Sequence, residues 1–250
     1  MGYKVYIKEE INLNNTSYKS EVLNYSISNE SLFNISGDLE KIYGLDKYVG
    51  VCGGGTQNLY ILSKLCKNNN LKEIILIDKN KLQLDNFKQI IDIYNNSSKK
   101  RYEDELIKLI KKRTDERIKF YIIRHRSDKE EYKLTNLTKP SFNKNLKITL
   151  VIGDIFDFLS KINYKGKYFF YLSNVLSYKK IIPDFGIRNA RLRQVLQNKK
   201  IQSDSLLLLI KNTFLFGSTK AVITKKSRYL KDKQSAFFTR LFNLLSMLKP

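Results

Sequence analysis

The sequence predicts an α/β fold, a doubly wound and mostly parallel sheet with helices on both faces, closed by a C-terminal antiparallel hairpin. Three observations predict it. Short continuous apolar runs alternate with segments whose apolar residues recur at helical spacing. The runs are apolar throughout, as expected of strands covered on both faces. A glycine-rich turn, "VCGGGTQ", joins the first such strand to the first such helix.

Taken in order, "KYVGVC" reads as a buried strand, and Leu59, Leu62, Leu65 and Cys66 mark the helix after it. "KEIILID" is a second buried strand, followed by a helix marked by Phe87, Ile90, Ile91 and Tyr94 and interrupted at "NNSS". "RYEDELIKLIKKR" is a further helix with Leu106, Leu109 and Ile110 on one side, and "IKFYII" is a candidate extra strand. The polar, basic stretch from about 114 to 145, including Pro140, is the expected insertion or loop. "LKITLVIGD" resumes the alternation as a strand. Ile155, Phe158, Leu159 and Ile162 then give a helix, "KYFFYL" a strand, Ile187 through Leu196 a helix and "SLLLLIKN" a strand. "FLFGSTKAVITKK" is expected to supply the hairpin, and "QSAFFTRLFNLLSMLKP" reads as an amphipathic helix that docks on the core or meets a partner or membrane surface. The implied organisation is an accessory segment over 1–47 and a Rossmann-like domain over 48–250, with a basic insertion at about 96–146.

Composition narrows the class. At 250 residues and 42% hydrophobic the chain can bury one good core. No apolar run reaches the length of a membrane span, and "MGYKVYIKEE" lacks a secretory pattern, so a cytoplasmic protein without a transmembrane segment is expected. The two cysteines, Cys52 and Cys66, read as reduced core thiols. The formal net charge of +22 points to an anionic partner, although lysine scattered with Asn, Ile and Tyr also fits compositional drift. The arginines are more concentrated: Arg113, Arg117, Arg124 and Arg126 in one stretch, Arg188, Arg191 and Arg193 in another. His125, the single histidine, lies in the insertion and reads as a surface residue. No metal-ligand spacing, nucleophile elbow or P-loop is present.

In a doubly wound sheet, ligands bind beyond the carboxyl ends of the strands. Gly53, Gly54 and Gly55, with Thr56 next, fall at the first such end, where a side chain would block close approach of the backbone to a ligand. Asp78 ends the second strand, where a carboxylate can accept from ribose hydroxyls. Asp154 ends the next, with Ile155 and Phe156 offering apolar contact. A strand-end or helix-cap role is the plain alternative for both acids.

These three stations, "VCGGGTQ", "LIDKN" and "GDIF", resemble the cofactor half of the class I S-adenosylmethionine-dependent methyltransferases. The resemblance implies S-adenosyl-L-methionine as cofactor, held by the glycine turn at its methionine part, by Asp78 at its ribose, and by Asp154 and Ile155 at its adenine. Two features depart from the family: Gly50 stands where an acidic residue is common, and the glycines are compressed to GGG. The G-x-G-x-x-G of dinucleotide enzymes is absent. After "KYFFYL", the segment "YLSNVLSY" places Ser173 toward the cofactor and Asn174 and Tyr178 as candidate catalytic residues that orient an acceptor, either a small molecule or lipid headgroup, or RNA. "GDIFDFL" with "YLSNVL" is also similar to enzymes that transfer the 3-amino-3-carboxypropyl group of the same cofactor. An RNA-binding module with a degenerate, non-catalytic domain is the alternative outside the transferases.

Overall fold

Seven strands form one sheet in the order β1-β4-β3-β2-β5-β6-β7. The computed structural model describes residues 5–13, 35–53, 56–113, 139–143, 145–172, 182–212 and 219–232. The strands are β1 (Ile7–Asn12), β2 (Lys47–Val51), β3 (Glu73–Asp78), β4 (Lys147–Ile152), β5 (Tyr168–Tyr171), β6 (Leu206–Asn212) and β7 (Thr219–Lys225). All neighbours pair in parallel except β6 and β7, which form the expected antiparallel pair. The helices are α1 (Ser36–Glu40), α2 (Thr56–Leu65), α3 (Lys81–Asn96), α4 (Lys99–Arg113), α5 (Ile155–Ser160), α6 (Ile182–Leu196) and α7 (Lys226–Lys231).

Side chains alternate across each strand, so a strand apolar throughout supplies two cores. Tyr48, Ile74, Leu76, Ile148, Leu150 and Phe169 face one layer, built with Leu39 of α1, Leu62 of α2, Phe87 of α3 and Leu106 of α4. Val49, Ile75, Ile77, Val151 and Phe170 face the other, with Leu159 of α5, Leu192 of α6 and Tyr229 of α7. Fully burying a Leu or Phe side chain contributes about 1.5–3 kcal/mol, so these two layers carry the fold. Helices cover both faces, as the continuous apolar strands predict.

Three elements were not foreseen, β1, α1 and α7. β1 comes from the segment read as accessory and lies parallel to β4 at one sheet edge. α7 follows β7 directly. The predicted break at "NNSS" separates α3 from α4: Asn80 caps the start of α3, its side chain accepting from the Leu82 amide. Cys52 is buried and Cys66 partly so, and both are free thiols. No helix among the described residues is long and apolar enough to cross a membrane.

Candidate functional site

The chain runs from β2 outward through β3 to β4, then returns to place β5 on the opposite side of β2. The sheet therefore has its switch point between β2 and β5, and the crevice outside their carboxyl ends is where this architecture takes ligands. The turn leaving β2 opens on that crevice. Cys52 continues the ladder, its amide donating to the Ile77 carbonyl at 2.8 Å. Gly53 then adopts φ +44°, a left-handed conformation that costs a side-chain-bearing residue roughly 1–2 kcal/mol.

The Gly53 amide donates to Asp78 Oδ2 at 3.0 Å, and the Asn80 amide donates to Oδ1 at 2.9 Å. Asp78 thus joins the tip of β3 to the glycine turn. Burial pushes its carboxyl pKa up, and the amides of Asn80, Gly53 and Lys79 offset that only in part. Next to it, the Asn80 side-chain nitrogen Nδ2 is buried with no acceptor among the described residues. Asp78 is not the helix cap of the plain reading, because Asn80 fills that position.

Behind the turn lies a brace that sequence reasoning missed. Asn58 of α2 is fully buried; its Nδ2 donates to the Val51 carbonyl at 3.1 Å and the Cys52 carbonyl at 2.8 Å. Its Oδ1 accepts from the buried Tyr48 hydroxyl at 2.7 Å. A Cβ at Gly50 would overlap Asn58 Oδ1 and come within 2.8 Å of Tyr48 Cε1. Gly50, a departure from the family pattern, is therefore the vacancy into which this hydrogen-bonded pair fits. The available signal was a polar residue at an inward-facing position of α2, among apolar neighbours at helical spacing.

Asp154 caps α5, Oδ1 accepting from the Phe156 amide at 2.7 Å, while Oδ2 pairs with Lys79 Nζ at 2.7 Å. Burial alone would raise its pKa; the Lys79 and Phe156 contacts and the Arg191 charge outweigh burial and hold it below the ordinary range. The plain cap reading is thus realised for Asp154, with Lys79 bridging the tips of β3 and β4. A group with a depressed folded pKa contributes stability above its unfolded pKa and loses it as pH falls through the folded value. Asp154→Asn, which keeps a good cap but loses the ion pair, is therefore expected to flatten the acid limb of a stability-versus-pH curve below about pH 4. Urea midpoints measured across that range check this; an acid limb identical to wild type would remove Asp154 from the account.

The structure brings Gly53, Asp78, Asp154 and Ile155 to one sheet edge, with Ile155 and Phe156 buried beside the β4 tip. Thr56 opens α2. Gly54, Gly55, Ser173, Asn174 and Tyr178 lie outside the described residues. Leu13, leaving β1, packs where a Gly153 Cβ would sit, so the exit of β1 reaches the same rim. Recesses of about 490 Å³ and 390 Å³ lie elsewhere, at the amino edge and between α5 and α6; the crevice is assigned from topology and the placement of its donors and acceptors.

The arginines of α6 are engaged internally. Arg193 donates to the Tyr229 and Leu230 carbonyls, capping the end of α7, and Arg191 lies over the Phe156 ring and pairs with Asp157. Arg117, Arg124 and Arg126 lie outside the described residues. No group of three His, Cys, Asp or Glu side chains among the described residues could hold a metal ion. The chain matches no family model, and no curated protein matches it at a significant level.

Proposed function

We propose that the chain is an S-adenosyl-L-methionine-dependent transferase whose reaction is methyl transfer to a small-molecule or lipid-headgroup acceptor. One observation carries this reading: a left-handed glycine turn and a strand-end carboxylate are joined at the tips of β2 and β3, beside the switch point of a parallel sheet, at Gly53 and Asp78.

The residues fit the cofactor in three ways. The amides of Gly53, Asn80 and Lys79 occupy three of the roughly four lone-pair directions of Asp78, leaving one for a ribose hydroxyl. The buried Asn80 Nδ2 is a donor in want of an acceptor beside it. Ile155, at the tip of β4, supplies an apolar edge for a base. When bound, the cofactor supplies a sulfonium whose attached carbons are electrophilic. The chain then has to hold the acceptor in line with one C–S bond and exclude water. That task is assigned to the segment after β5, with Asn174 and Tyr178 as the candidate residues that handle the acceptor.

Titration calorimetry with S-adenosylhomocysteine tests the reading. Saturable micromolar binding is expected, and no heat at millimolar ligand would sink it in favour of a module without cofactor. With S-adenosylmethionine and cell extract, S-adenosylhomocysteine is the expected product. Methylthioadenosine would instead assign aminocarboxypropyl transfer.

A further inference from the structure

We infer that the amino edge of the sheet, opposite the proposed cofactor site, is a binding surface for single-stranded RNA. The inference stands independently of the transferase reading. Among the described residues, several exposed lysines fall together on this edge. Backbone bonds cross this edge from strand to strand: the Lys147 amide to the Lys72 carbonyl at 3.1 Å, Lys72 to Asp46 at 2.8 Å, Asp46 to Lys167 at 2.9 Å and Gly166 to Lys200 at 3.1 Å. At roughly 4.8 Å per strand, that ladder sets a line of lysines about 20 Å long.

The carboxylates along the line are already neutralised. Asp46 pairs with Lys72, Glu73 with Lys47 and Asp204 with Lys167. Lys147, Lys165, Lys199 and Lys200 are exposed and have no carboxylate partner among the described residues, so the edge carries a net positive line. The carboxyl edge is the reverse: Lys79 and Lys81 are paired with Asp154 and Asp85.

Two tyrosines stand in the same line, each 65% exposed. The ring of Tyr164 has Lys47 Nζ at 4.4 Å from its centre, and the carbonyl of Tyr43 accepts from Lys167 Nζ. Exposed aromatic faces interleaved with a row of cations suit a single strand, with phosphates on the lysines and bases stacked on the rings. The recess of about 490 Å³ at the β5–β6 end is lined by Lys165, Lys199, Gln202, Ser203, Asp204 and Ile201. Among the described residues no large aliphatic side chain is exposed on this edge to enter an acyl layer, which favours RNA over a membrane surface.

The test is fluorescence anisotropy with a labelled oligouridylate over a salt series, on folded variants verified by circular dichroism. Wild type should show a log-log salt slope near −3, from about −0.7 for each of four phosphates neutralised. Replacing Lys147, Lys165, Lys199 and Lys200 together by Gln should weaken binding at least tenfold and bring the slope close to zero. Replacing Lys8, Lys81, Lys108 and Lys112 by Gln, an equal loss of charge elsewhere, should change affinity less than threefold. Tyr43→Ser with Tyr164→Ser should cost about tenfold with the slope kept. Equal losses in the two lysine variants, full affinity in the tyrosine variant, no RNA retention at low salt, or tighter binding to phosphatidylserine vesicles would each overturn the inference. S-adenosylhomocysteine titration of the edge variant should match wild type, which keeps the two sites separable.

Discussion

Asp78→Ala is expected to weaken S-adenosylhomocysteine binding by about 1.5–3 kcal/mol, roughly 10- to 150-fold, the range for losing hydrogen bonds to a charged group. The substitution also removes the acceptor of the Gly53 and Asn80 amides, so some loss of stability accompanies it. Asp78→Asn separates the two effects. Its amide oxygen still accepts from one backbone amide, while the charge that holds the ribose hydroxyl is gone. If Asp78 binds ligand, the Asn variant should lose most of the affinity with a small change in melting temperature. A lowered melting temperature with wild-type affinity would make Asp78 a structural tie only. The pH dependence has a definite sign as well. A ribose hydroxyl donates to the ionised carboxylate, and burial raises the pKa of that group. Affinity should therefore fall on acidification at a higher pH than an ordinary aspartate would give, and calorimetry through the acid range reads this directly.

The second large effect is expected at the brace behind the glycine turn. Asn58→Ala leaves two backbone carbonyls and the Tyr48 hydroxyl without their Asn58 partner in a largely buried site. At about 1–3 kcal/mol for each unsatisfied group, partly relieved by relaxation, a loss of about 3 kcal/mol or more is expected in urea unfolding. Gly50→Ala should cost about 2–3 kcal/mol, because its Cβ meets Asn58 Oδ1 and the Tyr48 ring. Removing Asn58 vacates the space that the new methyl needs. The double variant should therefore lose at least about 1 kcal/mol less than the two single losses together. Strict additivity would mean that the two positions do not share one space.

The strands with two buried faces were legible because their apolar runs leave no other assignment. "EIILID" and "KITLVI" became β3 and β4, and Asp78 could be placed at a carboxyl edge before its neighbours were known. β1 was not legible. "IKEEIN" has its charged residues exposed on an edge strand, and only pairing with β4 makes it a strand at all. The bond from Gly53 to Asp78 was beyond reach because it joins two turns about 25 residues apart, and local pattern carries no information on such pairing. Asn58 sat unnoticed because a hydrophobic period records where apolar residues lie and says nothing of a polar one that replaces them. The Asp154 cap was legible as an alternative, since Asp before an amphipathic run is a common helix start.

The pairing of β1 with β4 also bears on the order of assembly. Ile7 sits opposite Ile148, on the order of 140 residues away, and the entropy of closing so long a loop is recovered only after β3 and β4 have docked. Of the seven strands described, the first in sequence is thus the last that can add to its side of the sheet. Until then β4 presents an unpaired edge with an apolar face on either side, a template for pairing with another chain. The charged residues of β1, Lys8, Glu9 and Glu10, then become the outer border of the finished sheet and discourage such pairing. Nascent chains, or chains from which β1 is deleted, should accordingly aggregate through β4 while chains that contain β1 do not.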